Sequence, residues 1–135
     1  MRNIFCLALC LFLAACGSDT GTPAASVEST APASDRPYGN LSPEEFAAKM
    51  EDGEVILLDV RTPREISAGK IDGAMELDFN APDFADRIAQ LDREPTYLVY
   101  CAAGGRSNKA CALMAEEGFE RVYNLDGGFT AWQHR

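Results

Sequence analysis

Thr96-Tyr97-Leu98-Val99-Tyr100-Cys101-Ala102-Ala103-Gly104-Gly105-Arg106-Ser107 decides how this chain folds. Its first five residues are a short apolar and aromatic run of strand length. From Ser107 to Glu117 the apolar side chains recur at helical spacing, and Gly118 closes that helix. The joint between strand and helix therefore carries a cysteine and two glycines. In an open parallel sheet, ligands bind at the carboxyl ends of strands, where Cys101 falls. Gly104 and Gly105 can take positive φ, and a loop of small residues can turn its N–H groups inward as an anion-binding nest. The positive end of the following helix adds to that field. A thiol so placed has its pKa lowered from about 8.5 and works as a thiolate.

Outward from this joint, strand and helix signals alternate. Ser42-Pro43-Glu44-Glu45 is a capping box with proline at the first helical position, and opens a helix to about Met50. Val55–Asp59 is a continuous apolar run, as expected of a strand buried on both faces. Thr62-Pro63-Arg64-Glu65 repeats the capping signal, with Gly69 as the stop. Met75–Leu77 is a second short strand, and Phe84, Ile88 and Leu91 fall on one helical face. Val122–Leu125 gives a further strand, followed by Asp126-Gly127-Gly128 and a last turn holding Trp132. Strands separated by helices imply an α/β fold with a mostly parallel central sheet covered on both faces.

Composition narrows the chemistry. The chain has 135 residues, 12 basic against 21 acidic, and a formal charge of −9. That balance argues against nucleic acid as a partner, because binding to phosphate backbones rests on Lys and Arg. The one histidine, His134, is next to last, so imidazole-based catalysis and a His-rich metal site are not expected. No metal or cofactor is implied.

Met1–Cys16 has a basic start at Arg2 and an apolar run from Ile4 to Leu13. The run is shorter than the roughly 20 residues a membrane-spanning helix needs, and has the pattern of a secretory signal. Its ending, Leu13-Ala14-Ala15-Cys16, resembles the lipobox of bacterial lipoprotein precursors. That resemblance implies a signal peptide over residues 1–15, cleavage before Cys16 and lipidation of Cys16, with the protein anchored in the cell envelope and its domain in the periplasm. From Gly17 to Pro37, 16 of 21 residues are Gly, Ser, Thr, Pro or Ala. Such a segment is expected to be a flexible linker with a mean reach of about 25 Å. Residues 16–37 are then lipidated cysteine plus linker, and residues 38–135 the working domain, which carries 18 acidic and 10 basic groups.

Cys101-x-x-Gly104-x-Arg106-Ser107 resembles the active-site loop of single-domain rhodaneses. Asp59-Val60-Arg61-x-x-x-Glu65 with Gly69-Lys70-Ile71-x-Gly73-Ala74 is similar to that family's upstream signature. Gly118-Phe119 and Val122-Tyr123-Asn124-Leu125-x-Gly127-Gly128-x-x-x-Trp132 are similar to its closing one. The resemblance spans Leu41–Trp132 and implies a three-layer α/β/α sandwich that transfers sulfane sulfur. Cys101 would attack a small donor's outer sulfur, hold it as a persulfide, and pass it to a thiol or other thiophilic acceptor. The N–H groups of Ala102, Ala103, Gly104, Gly105 and Arg106 would cradle the sulfur. Asp59, Arg61, Glu65 and Ser107 would support the loop. Five residues separate Cys101 from Arg106, whereas related phosphatases and arsenate reductases use six, so the loop suits one sulfur atom rather than a tetrahedral oxyanion.

Other readings stand beside this one. Cys101 could be a buried apolar residue ending a core strand, and Arg106 a surface arginine rather than one bracing loop carbonyls or facing an anion. Cys111, spaced with Met114 and Ala115, reads as core. A non-catalytic binding or sensing module is the alternative from another class. A thiol–disulfide protein is disfavoured because the chain beyond Cys16 has no Cys-x-x-Cys. Two departures from the family pattern are Lys70, where many members have histidine, and Ala102-Ala103, where thiosulfate users often carry a cation. Poor affinity for thiosulfate is the expectation that follows.

Overall fold

The computed structural model describes residues 36–135. The expected signal peptide, Cys16 and the linker up to residue 35 lie outside the described residues. Five strands form one sheet in the order β1-β5-β4-β2-β3: β1 (Gly39–Leu41), β2 (Val55–Asp59), β3 (Met75–Glu76), β4 (Thr96–Tyr100) and β5 (Val122–Leu125). Every pairing is parallel. Five helices connect and follow them: α1 (Pro43–Lys49), α2 (Pro63–Ile66), α3 (Phe84–Ala89), α4 (Gly105–Glu116) and α5 (Gly128–Gln133).

Side-chain alternation along β4 feeds two cores. Tyr97, Val99 and Cys101 point to one face, where Phe84 and Ile88 of α3 and Ala110, Cys111 and Met114 of α4 pack. Leu98 and Tyr100 point to the other, with Phe46 of α1 and Phe129 and Trp132 of α5. A strand that must be apolar on both faces reads as an unbroken apolar run, which is why β2 and β4 are conspicuous in the sequence. Helices on both faces of a parallel sheet make the α/β/α sandwich.

Both proline-led capping boxes form as the sequence predicts. Ser42 accepts from the Glu45 amide and Thr62 from the Glu65 amide, and each glutamate accepts from its cap residue's N–H in return. The elements are otherwise trimmed. Helix α2 is one turn and ends before Gly69, and α4 begins two residues earlier than the apolar spacing indicated.

Strand β1 is an addition to the sequence reading. Gly39-Asn40-Leu41 has no apolar pattern, and it becomes a strand by pairing with Tyr123–Leu125 of β5. Gly39 is required there, since a Cβ on it would sit 2.4 Å from the Tyr123 ring. Just before β1, the Tyr38 hydroxyl bonds Asn108 Oδ1 at 2.9 Å, tying the start of the domain to α4.

Candidate active site

Central strand β4 ends at Tyr100 and places Cys101 at the carboxyl edge of the sheet, 1% exposed. The chain then turns sharply into α4. Gly104 makes the turn as the N-cap of α4, at φ +95°, a conformation that costs other L-residues about 1–2 kcal/mol. Its amide donates to Cys101 Sγ at 3.1 Å. Ser107, fully buried in the first turn of α4, points its hydroxyl at the same sulfur at 3.4 Å and at the Gly104 carbonyl at 3.1 Å.

These contacts set the acidity of the thiol. Burial alone pushes the Cys101 pKa up. Hydrogen bonds from Ser107 and from the Ala103 and Gly104 backbone outweigh it, so the net result lies below the ordinary value of 9.0. Cys111 provides the contrast, because burial in the core, reinforced by the nearby Cys101, pushes its thiol well above 9.0. One cysteine is prepared to ionise and the other is held as a thiol. Both are free.

Inward-facing amides require outward-facing carbonyls, and these need partners. The first turn of α5 supplies them. Phe129 N–H donates to the Cys101 carbonyl at 2.7 Å and Thr130 N–H to the Ala102 carbonyl at 3.0 Å. The fit depends on Gly127 and Gly128, at φ +67° and +61°. A Cβ on Gly128 would lie 2.5 Å from the Cys101 carbonyl oxygen. Sequence reading took Gly127-Gly128 as a turn. They are the close-approach surface on which the cysteine loop is clamped.

Asp59 and Arg61 are buried together below this clamp. Arg61 Nε and Nη2 engage both Asp59 oxygens at 2.7–3.1 Å, and Nη2 also donates to the Gly69 carbonyl at 2.8 Å. The guanidinium lies 4.2 Å from the Phe129 ring centroid and 5.5 Å from that of Tyr100. Burial lowers the Arg61 pKa, but Asp59 more than offsets it and keeps the charge in place. The pair thus backs Phe129, whose amide holds the Cys101 carbonyl.

Arg106 faces the Cys101 sulfur, whose charge favours its own, but its strongest tie is to Glu65. Its Nη1 and Nη2 form a forked pair with Glu65 of α2, at 2.8 and 2.5 Å. The loop carbonyls it was expected to brace are served by α5 instead. Glu65 is itself fixed, since its Oε2 accepts from Thr62 N–H and Thr62 Oγ1 at 3.0 and 2.8 Å. Arg106 holds the Glu65 carboxyl down to about 2. Ala102, Ala103 and Gly105 complete the rim without charge, and Ala103 and Gly105 are exposed. A separate pocket of about 380 Å³, lined by Asp52, Glu54, Glu94, Thr96 and Arg121, lies at the amino ends of the strands, away from Cys101.

Residues 42–135 match the family model of the rhodanese-like domain. The thiosulfate sulfurtransferase GlpE of Stutzerimonas stutzeri is 38% identical over 93 residues, covering 68% of this chain and 83% of that protein. The tRNA uridine(34) hydroxylase of Cytophaga hutchinsonii is 39% identical over 92 residues, 66% of this chain but 30% of that protein. Among solved structures, a rhodanese-like domain protein from Staphylococcus aureus superposes with a TM-score of 0.62 at 27% identity, covering 70% of this chain and 90% of that one.

Proposed function

This chain belongs to the rhodanese-like domain family, and from that premise we propose that it is a sulfurtransferase working through a persulfide on Cys101. One observation carries the reading: the Cys101 sulfur receives the Gly104 amide at 3.1 Å and the Ser107 hydroxyl at 3.4 Å, and its pKa falls despite burial. A core cysteine needs none of these donors.

The Cys101 thiolate attacks the outer sulfur of a donor. The donor's bond to that sulfur breaks, and its electron pair leaves with the remainder of the donor. The anionic outer sulfur of the persulfide then lies among the N–H groups of the Ala102–Arg106 loop, which stabilise it as they stabilised the thiolate. An acceptor thiolate attacks that outer sulfur, and Cys101 departs as a thiolate, ready for another cycle. Asp59, Arg61 and Ser107 serve as support, the first two behind Phe129 and the third on the sulfur itself. Sulfur transfer from a sulfane donor to a thiol acceptor tests this. Cys101→Ser is expected to reduce turnover to the uncatalysed rate, whereas an unaffected rate would leave the protein as a binding module.

The leader supports a location as well. Leu13-Ala14-Ala15-Cys16 after a short apolar run fits lipidation of Cys16, with the domain held in the periplasm of a bacterial envelope. Two acyl chains give stable anchoring where one gives marginal binding. Expression in a bacterial host is expected to leave the protein in the membrane fraction and to release it with Cys16→Ser. Equal distribution of the two would refute the anchor.

A further inference from the structure

We propose that Glu65 determines donor specificity: by cancelling the Arg106 charge it turns the loop away from dianionic donors such as thiosulfate and toward thiol persulfides. The inference rests on the sulfurtransferase reading and concerns which donor that site takes.

The two donor classes differ in what leaves. Attack on thiosulfate expels sulfite, so two negative charges must approach the loop and remain beside it as the sulfur–sulfur bond breaks. Attack on a thiol persulfide expels a thiolate, with one charge at the reacting end. A dianion therefore draws more from a free cation at the rim. In this loop Arg106 is the sole cationic side chain between Cys101 and Ser107. It is not free, because Glu65 occupies both of its terminal nitrogens. Forked arginine–carboxylate pairs are stronger and more directional than single contacts.

Glu65 is also poorly placed to yield. Its Oε2 is held from the other side by Thr62 N–H and Oγ1 as part of the α2 capping box, so displacing it for an incoming anion would break the cap as well. Ala102 and Ala103, which border the sulfur, contribute no charge. The rim is thus near neutral, on a domain whose acidic groups outnumber its basic ones, 18 to 10. A pair that merely fastened α2 to α4 would not be expected to distinguish one donor from another.

Glu65→Gln separates the two possibilities, because glutamine retains an acceptor oxygen for the cap and loses the charge. In the full-length protein, kcat and KM are measured with thiosulfate and with cysteine persulfide over a range of salt concentrations. The ratio of thiosulfate to persulfide kcat/KM is expected to rise about tenfold or more in the variant, carried mainly by KM, as for one uncovered charge at a partly exposed site. The gain should shrink as salt is added. Glu65→Gln/Arg106→Gln restores a neutral rim, so its ratio is expected to return toward that of the wild type. A ratio unchanged by Glu65→Gln, or a change indifferent to salt, overturns the specificity role while leaving Cys101 chemistry standing. Failure of both donors to load Cys101 in the wild-type protein overturns the sulfurtransferase reading and this inference with it.

Discussion

Ser107 has one proton to donate and two acceptors in reach, the Cys101 sulfur at 3.4 Å and the Gly104 carbonyl at 3.1 Å. A neutral thiol is a weak acceptor, so the proton belongs on the carbonyl until Cys101 ionises; a thiolate then draws it over. The hydroxyl thereby stabilises the charged form more than the neutral one, which lowers a pKa. Sulfur loading should rise with pH through a midpoint below 9.0. Ser107→Ala is expected to move that midpoint upward and to slow loading at pH 7 about ten- to a hundredfold, as for loss of a hydrogen bond to a charged group. A pH profile of persulfide formation in the two proteins checks this. Part of this residue-level picture was legible in the sequence: a cysteine before a Gly-Gly turn at a helix start implies a stabilised thiolate whatever the rest of the fold does. The Glu65 hold on Arg106 was not, because the residues are 41 apart and only α2 and α4 bring them together.

At the level of elements, two contacts decide the loop's shape, and each has a measurable signature. The Glu65–Arg106 pair bridges α2 and α4, and Glu65 sits at about 2 against an ordinary 4.5. Because the folded-state value is the lower one, its contribution to stability is complete above about 4.5 and disappears as pH falls toward 2. Acid unfolding followed by circular dichroism should show Glu65→Gln less stable than wild type at neutral pH. The difference should shrink over that window and be lost below pH 2, and a gap undiminished at pH 2 would contradict the assignment. The second contact is the seat of the cysteine loop on α5. Gly128→Ala places a Cβ 2.5 Å from the Cys101 carbonyl oxygen at a positive φ. The backbone penalty alone is about 1–2 kcal/mol, equivalent to a fall of about 5 °C or more in Tm for a domain of this size. Calorimetry should find that fall together with a loss of sulfur transfer out of proportion to it. Sequence reading saw a Gly-Gly turn at this place, but not what it presses against. Close approach between Cys101 and Gly128, 27 residues apart, leaves no local pattern beyond the glycines themselves.

At the level of the whole molecule, the sheet explains why the site is where it is. β4 is central in the order β1-β5-β4-β2-β3, buried on both faces, and its end is the one place where the cysteine loop can be backed by α5 on one side and α4 on the other. The strands that lie deepest, β2 and β4, were legible as nearly continuous apolar runs, because both faces of each pack against other elements. β1 was not, because a three-residue edge strand owes its form to the partner it pairs with rather than to its own composition. The charged Asp59–Arg61 pair, at 0% and 3% exposure, is the other feature that packing reveals. It uses its aromatic neighbours to support the loop from behind. All of these arrangements converge on a single sulfur atom, that of Cys101. The intact mass of the protein is measured after incubation with a sulfane donor and removal of the excess, beside Cys101→Ser. One added sulfur atom, lost on addition of a thiol and missing from Cys101→Ser, is the predicted result. No added sulfur with any donor, or the same addition in Cys101→Ser, would contradict it.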